Sequence, residues 1–218
     1  MPELTTESDR IRRIYDQEAP KYDRQMRFCD RALFAGGREW VCSQARGDAL
    51  EIAVGTGRNL RHYPEGVKLT GIEFSPAMLE IARKAAASLS LTIDLRVGDA
   101  QALEFPDESF DTVVCTLALC TIPDDRAAVS EAKRVLRPGG RFLLLEHVRS
   151  PNMAVRLSQR LLDPLAVRFG GDHLLREPLD HLHAEGFEIQ QQIRSKLGLV
   201  ERIAALKPTD GRRSTWPS

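Results

Sequence analysis

From residue 48 onward, short apolar runs alternate with amphipathic stretches, and the alternation predicts a fold. ALEIAV (49–54) is an apolar run ending in a glycine turn, the pattern of a strand buried on both faces. VKLTGIE (67–73), LTIDLRV (91–97), DTVVCTL (111–117) and RFLLLEHV (141–148) predict four more strands. Ser75-Pro76 opens a helix, with serine as its cap and proline in its first turn. Met78, Ile81, Ala82 and Ala85 give that helix an apolar face. Asp124 or Asp125 caps a second helix, with Val129, Ala132 and Leu136 inward and Pro138-Gly139-Gly140 as its stop. GFEIQQQI (186–193) and LVERIAALKP (199–208) read as a closing strand pair. Upstream, 6–16 and 20–45 are helical in character, interrupted at Ala19-Pro20.

Strands alternating with helices predict an α/β fold, a parallel sheet covered on both faces. Ligands of such sheets lie beyond the carboxyl ends of the strands, where strand order reverses. Three successive strand ends carry acids. Glu51 precedes Gly55-Thr56-Gly57, Glu73 ends the second strand, and Asp99 follows the third. Glycines let the backbone turn tightly and approach a ligand. Glu73 is placed to accept from ribose hydroxyls, and Asp99 from an adenine amino group. A dinucleotide site fits poorly, because Leu60 stands where the third glycine of that fingerprint belongs. Glu51 would also repel a pyrophosphate, whereas it would hold an ammonium. The electrostatics favour S-adenosylmethionine, which carries an ammonium and a sulfonium and no phosphate.

These segments resemble the successive motifs of class I S-adenosylmethionine-dependent methyltransferases. The likeness rests on E-x-A-x-G-T-G, GIEFSPAMLEIA, VGDAQALEFPDESFDTVV and VLRPGGRFLLLEHV, and runs from about residue 15 to 150. The resemblance implies that Glu51 serves the methionine amino end, flanked by Gly55 and Gly57, and that Glu73 holds the ribose. It also implies that Asp99 and Ala100 border the adenine, with Phe74 and Met78 as apolar neighbours, and that Leu117 lies beside the methionine moiety. Ala53 departs from the family pattern, which has glycine there. IYDQEAPKYDRQM (14–26) is similar to the ubiquinone/menaquinone C-methyltransferase group, where Tyr15 and Tyr22 would be lid residues; both also read as packing aromatics. A narrower likeness, to small-thiol S-methyltransferases, rests on VVCTLALC, LEHV, Gln159 and Asp163-Pro164.

Methyl transfer is chiefly an alignment problem, and a base is needed only where the acceptor loses a proton. Glu146 and His147, ending the fifth strand, are the candidate catalytic pair, histidine having the pKa for such a base. They read equally as caps of neighbouring backbone. Cys120 reads as pocket wall. The four cysteines, at 29, 42, 115 and 120, lack zinc spacing, and His173, Arg176, His181 and His183 read as pocket rim or solvent-facing, so no metal is expected. MAVRLSQRLLDPLAVRF (153–169) is an amphipathic basic helix. A packed acceptor lid is the preferred reading, contact with a membrane surface the other.

Composition restricts the partners. Lys+Arg and Asp+Glu balance at 31 each, so no global field draws in nucleic acid. No run approaches the roughly 20 apolar residues of a membrane span, and MPELTTESDRIRR lacks a leader's apolar core, so a cytoplasmic location is expected. Nothing in the pattern specifies an oligomeric state. The expectation is a Rossmann-like, doubly wound seven-stranded sheet with its last strand antiparallel. Its parts would be a helical lid (1–46), a donor-binding core (47–150), an acceptor-side insertion (151–175) and a closing helix and strand pair (176–208). Its function would be methyl transfer to a small molecule, a thiol before a quinone precursor, natural product or lipid head group. A donor-binding regulator without transfer is the non-enzymatic alternative.

Overall fold

The computed structural model describes residues 6–209; residues 1–5, part of the segment read for a leader, lie outside it. Seven strands form one sheet: β1 (Asp48–Ile52), β2 (Lys68–Glu73), β3 (Asp94–Val97), β4 (Phe110–Thr116), β5 (Leu136–His147), β6 (Glu188–Ser195) and β7 (Val200–Leu206). Their order is β3-β2-β1-β4-β5-β7-β6. The first five are parallel, and β7 runs antiparallel between β5 and β6. Strand order therefore reverses between β1 and β4, where a ligand crevice is expected.

The central strands are buried on both faces, which is why they read as unbroken apolar runs. Side-chain alternation sorts them into two cores. Val113, Cys115, Phe142 and Leu144 pack with α4 (Asp125–Val135) and α6 (Pro178–Ala184) on one face. Val114, Leu143 and Leu145 pack on the other with α2 (Gly37–Cys42). On α3 (Pro76–Ser88) the buried face is Met78, Leu79, Ala82 and Ala86, about one residue round from the stripe read from sequence.

Three expectations need correction. The helix α1 (Thr6–Ala32) runs through Pro20 without a break. Pro20 is exposed, and side-chain ties from Asp16 before it and Asp23 after it hold both halves in one helix. The helix after Asp124 ends at Val135, and Leu136 already pairs with Phe110 in the sheet. Pro138-Gly139-Gly140 thus falls inside β5, where the register shifts, rather than ending the helix. Finally, α5 (Met153–Gly170) is packed on one side only: Val155, Gln159 and Leu162 face a cavity, while Leu157, Leu161 and Leu165 are exposed.

Candidate functional site

A cavity lies beyond the carboxyl ends of β1 to β4. Ala53, Gly55, Glu73, Phe74 and Met78 line it from the first two strand ends and α3. Asp99, Ala100 and Leu117 line it from the next two, and Tyr22 from α1. The backbone there is held in unusual geometry. Ala53 and Leu117, just past β1 and β4, have left-handed φ of 55°, which costs a residue bearing a Cβ about 1–2 kcal/mol. Gly55 also has positive φ, and a Cβ there would meet no atom within 4 Å, so its open side faces ligand space.

Both Glu73 oxygens accept a backbone N–H, from Gly55 at 2.9 Å and from Ser75 at 2.8 Å. Burial raises its pKa against those amides. Asp99 accepts from the backbone and side chain of Gln101.

Two predicted donor residues do not reach the cavity. Glu51 is buried on the α2 side of β1, where its oxygens accept from Asn59 Nδ2 at 2.7 Å and Tyr63 Oη at 2.8 Å. Burial pushes its pKa up to about 7, against those two hydrogen bonds. Asn59 and Arg38 also donate to Thr116 Oγ1, and Thr116 does line the cavity. Glu51 therefore stands one layer behind the wall. Gly57 has a φ of 82°, which disfavours any side chain, and a Cβ there would also lie 3.2 Å from the Ala82 backbone.

A second cavity adjoins the first, and Tyr15, Tyr22, Leu117 and Thr121 line both. The two tyrosine rings meet edge-on with centroids 6.3 Å apart. Its remaining walls are largely apolar: Met26 from α1, Phe34 just past it, Val155 and Leu162 from α5, and Leu199 and Val200 at the start of β7. His147 reaches it, with Nε2 2.8 Å from Asp172 Oδ1. Burial alone would push the imidazole pKa down, but the Asp172 hydrogen bond and the charges of Asp172 and Glu146 outweigh it and hold it raised. Cys120 lies alongside as buried wall, its thiol pushed up by burial.

Glu146 does not share this cavity. Strand alternation turns it to the opposite face, where Oε1 accepts from Ala118 and Leu119 at 3.1 and 3.2 Å. It caps the loop after β4, and Arg176 braces that loop by donating to the carbonyls of Leu119, Ile122 and Pro123. His181 lies 3.2 Å from Asp125, on the same side.

The family described as "Methyltransferase domain" matches residues 50–144. A thiol S-methyltransferase of Homo sapiens is 32% identical over 171 residues, 76% of this chain and 70% of the relative. A demethylmenaquinone methyltransferase of Thermus thermophilus is 32% identical over 158 residues, 68% of this chain and 70% of the relative. The chain belongs to the S-adenosylmethionine-dependent methyltransferases. In fold it is similar to the geranyl diphosphate C-methyltransferase of Streptomyces coelicolor (TM-score 0.72, 15% identity, 94% of this chain and 100% of that one). Matches to phosphatidylethanolamine, demethylmenaquinone and ubiquinone/menaquinone methyltransferases span 51% to 66% of those relatives' length.

The first cavity suits the family's methyl donor on its own geometry. Each Glu73 oxygen keeps a lone pair beyond its amide partner, enough for two hydroxyls. Among the lining residues two acids, Glu73 and Asp99, face one cation, Arg12, a balance that suits a cationic ligand and disfavours a phosphate. Sequence reasoning missed what holds α1 over this site. Asp16 accepts from Ser75 Oγ and Asp23 from Thr56 Oγ1, both at 2.6 Å, and Asp30 pairs with Arg38 and Arg58. Their signal was present: aspartates seven residues apart, two of them in repeated Tyr-Asp pairs, share one helix face. Asp172 had no comparable signal, lying 25 residues from His147 in sequence. Gln159 and Asp163 prove to be ties, Gln159 to the backbone of Val148, Ser150 and Leu174, and Asp163 to Leu174.

Proposed function

We propose that the chain transfers a methyl group from S-adenosylmethionine to a small acceptor with an apolar body and an acidic S–H or O–H, a thiol foremost. When bound, S-adenosylmethionine supplies a methyl carbon activated by its sulfonium. Glu73 and Asp99 would hold the nucleoside, and Phe74, Met78 and Leu117 would give it apolar walls. Tyr15 and Tyr22, shared by both cavities, would exclude water from the junction. The observation that carries the reading is the His147–Asp172 pair in the neighbouring cavity. With Nε2–H donating to Asp172, the Nδ1 lone pair is left to take the acceptor's proton. Asp172 orients the ring and stabilises the imidazolium that forms.

The relatives support a second reading, C-methylation of a quinone precursor, whose ring hydroxyl would meet the same base. A donor-turnover assay across thiols, phenols, quinols and amines separates the two by product. His147→Ala should slow transfer to a proton-losing acceptor by ~100-fold at neutral pH. An unchanged rate would remove the base from the mechanism. Donor binding without turnover on any acceptor class would replace the enzyme with a donor-binding regulator.

A further inference from the structure

The two helices that wall the acceptor cavity also carry apolar surface that no other part of the described chain covers. Along α5, Met153, Leu157, Leu161 and Leu165 recur every fourth residue and are 77%, 59%, 72% and 55% exposed. Phe169 extends the row at 70%, and Phe28 on α1 is 75% exposed. Residues four apart are neighbours on a helix surface, so these form a ridge rather than scattered single residues.

Charge accompanies the ridge. Within α5 three arginines (156, 160 and 168) stand against one acid, Asp163, which accepts from the Leu174 backbone; Arg149, just before the helix, pairs with Glu177. On α1, Arg24, Arg27 and Arg31 are exposed, while Asp23 and Asp30 are taken by Arg58 and Arg38. The chain as a whole balances at 31 of each sign, so this excess is local.

We propose that this face docks on an anionic lipid surface, with the α5 ridge in the acyl boundary and the arginines on the lipid phosphates. Arginine stems are long enough to lie along apolar surface while their guanidinium groups reach the head groups. A second copy fits less well, because a two-fold interface would set these arginines against their own counterparts. The contact is peripheral: among the described residues no helix is long and apolar enough to cross a membrane. Docking brings the acceptor cavity, through α1 and α5, to the surface where apolar acceptors partition.

Co-sedimentation of the full chain with vesicles tests this. Binding is expected to phosphatidylglycerol/phosphatidylcholine vesicles, weakening with salt, and not to phosphatidylcholine alone. The double variant Arg156→Gln/Arg160→Gln should weaken it by ~25-fold, about 1 kcal/mol for each arginine. Leu157→Ser/Leu161→Ser should weaken it by at least ~10-fold. Both pairs are outside the donor cavity, so melting temperature and calorimetric donor affinity should stay as in the parent. Three results would overturn the proposal: no binding to anionic vesicles, equal binding by both variants, or a solution dimer that Leu157→Ser/Leu161→Ser dissolves. Vesicle binding is read without turnover, so its failure would leave the methyl-transfer reading standing.

Discussion

The two adjoining cavities are built differently. The donor cavity is made at strand ends, where backbone geometry does much of the chemistry. Left-handed Ala53 and Leu117 re-aim the chain, and the amides of Gly55 and Ser75 fix the Glu73 carboxylate. The second cavity, proposed for the acceptor, adds walls from α1 and α5 to those from the strand ends, and its polar chemistry centres on one His–Asp pair. A site set on rigid strand ends suits a constant ligand, whereas helix walls can change side chains without disturbing the sheet.

The predictions test whether the halves are separable. Glu73→Ala should have the largest effect, raising the calorimetric donor Kd by more than ~100-fold, since two amides lose a charged partner along with the ribose acceptor. Donor affinity within a few-fold of the parent would move the donor elsewhere. Asp172→Asn should do the reverse: donor affinity holds while transfer slows by ~100-fold. In the parent, transfer rises with pH as His147 loses its proton, through a midpoint above 6.5. Without the Asp172 charge the imidazolium loses a stabilising partner, and the midpoint should fall. A stationary midpoint would exclude His147 as the titrating group.

Glu146 supplies a stability test. Burial raises its pKa to about 6, from an ordinary 4.5. A raised folded-state value means the stability linked to this carboxyl is full below about pH 4.5 and lost as pH rises through about 6. Glu146→Gln should therefore gain up to about 2 kcal/mol over the parent near pH 8 and nothing near pH 4, read from denaturant midpoints. Equal midpoints at both pH values would mean the carboxyl is better compensated than its burial implies. The smallest effect is expected from Ala53→Gly, which relieves the left-handed strain at the cost of unfolded-chain entropy. A gain of no more than about 1 kcal/mol in denaturant melts is expected, and a loss would show that the methyl's packing outweighs the strain.

The donor site was legible to different depths. Glu73 and Asp99 follow from which residues end which strand, whereas Ala100, Phe74, Met78 and Leu117 were implied by the family resemblance; all six line the cavity. Glu51 and Gly57 sit in the same motif yet miss it, Glu51 by strand alternation and Gly57 because its open side meets α3. On the acceptor side His147 was readable as a strand-end histidine. Glu146 looked equivalent, but neighbours on a strand point to opposite faces.

By itself, the sequence determined the alternation of strands and helices and placed Glu73 and Asp99 at strand ends. These depend on local periodicity and on residues within one turn of a strand end. Only the tertiary structure decided which strand-end acid is buried behind a wall, which aspartate meets His147, and which side of α5 is left bare. Those are contacts between segments far apart in the chain, set by how whole elements pack, and no local pattern encodes them.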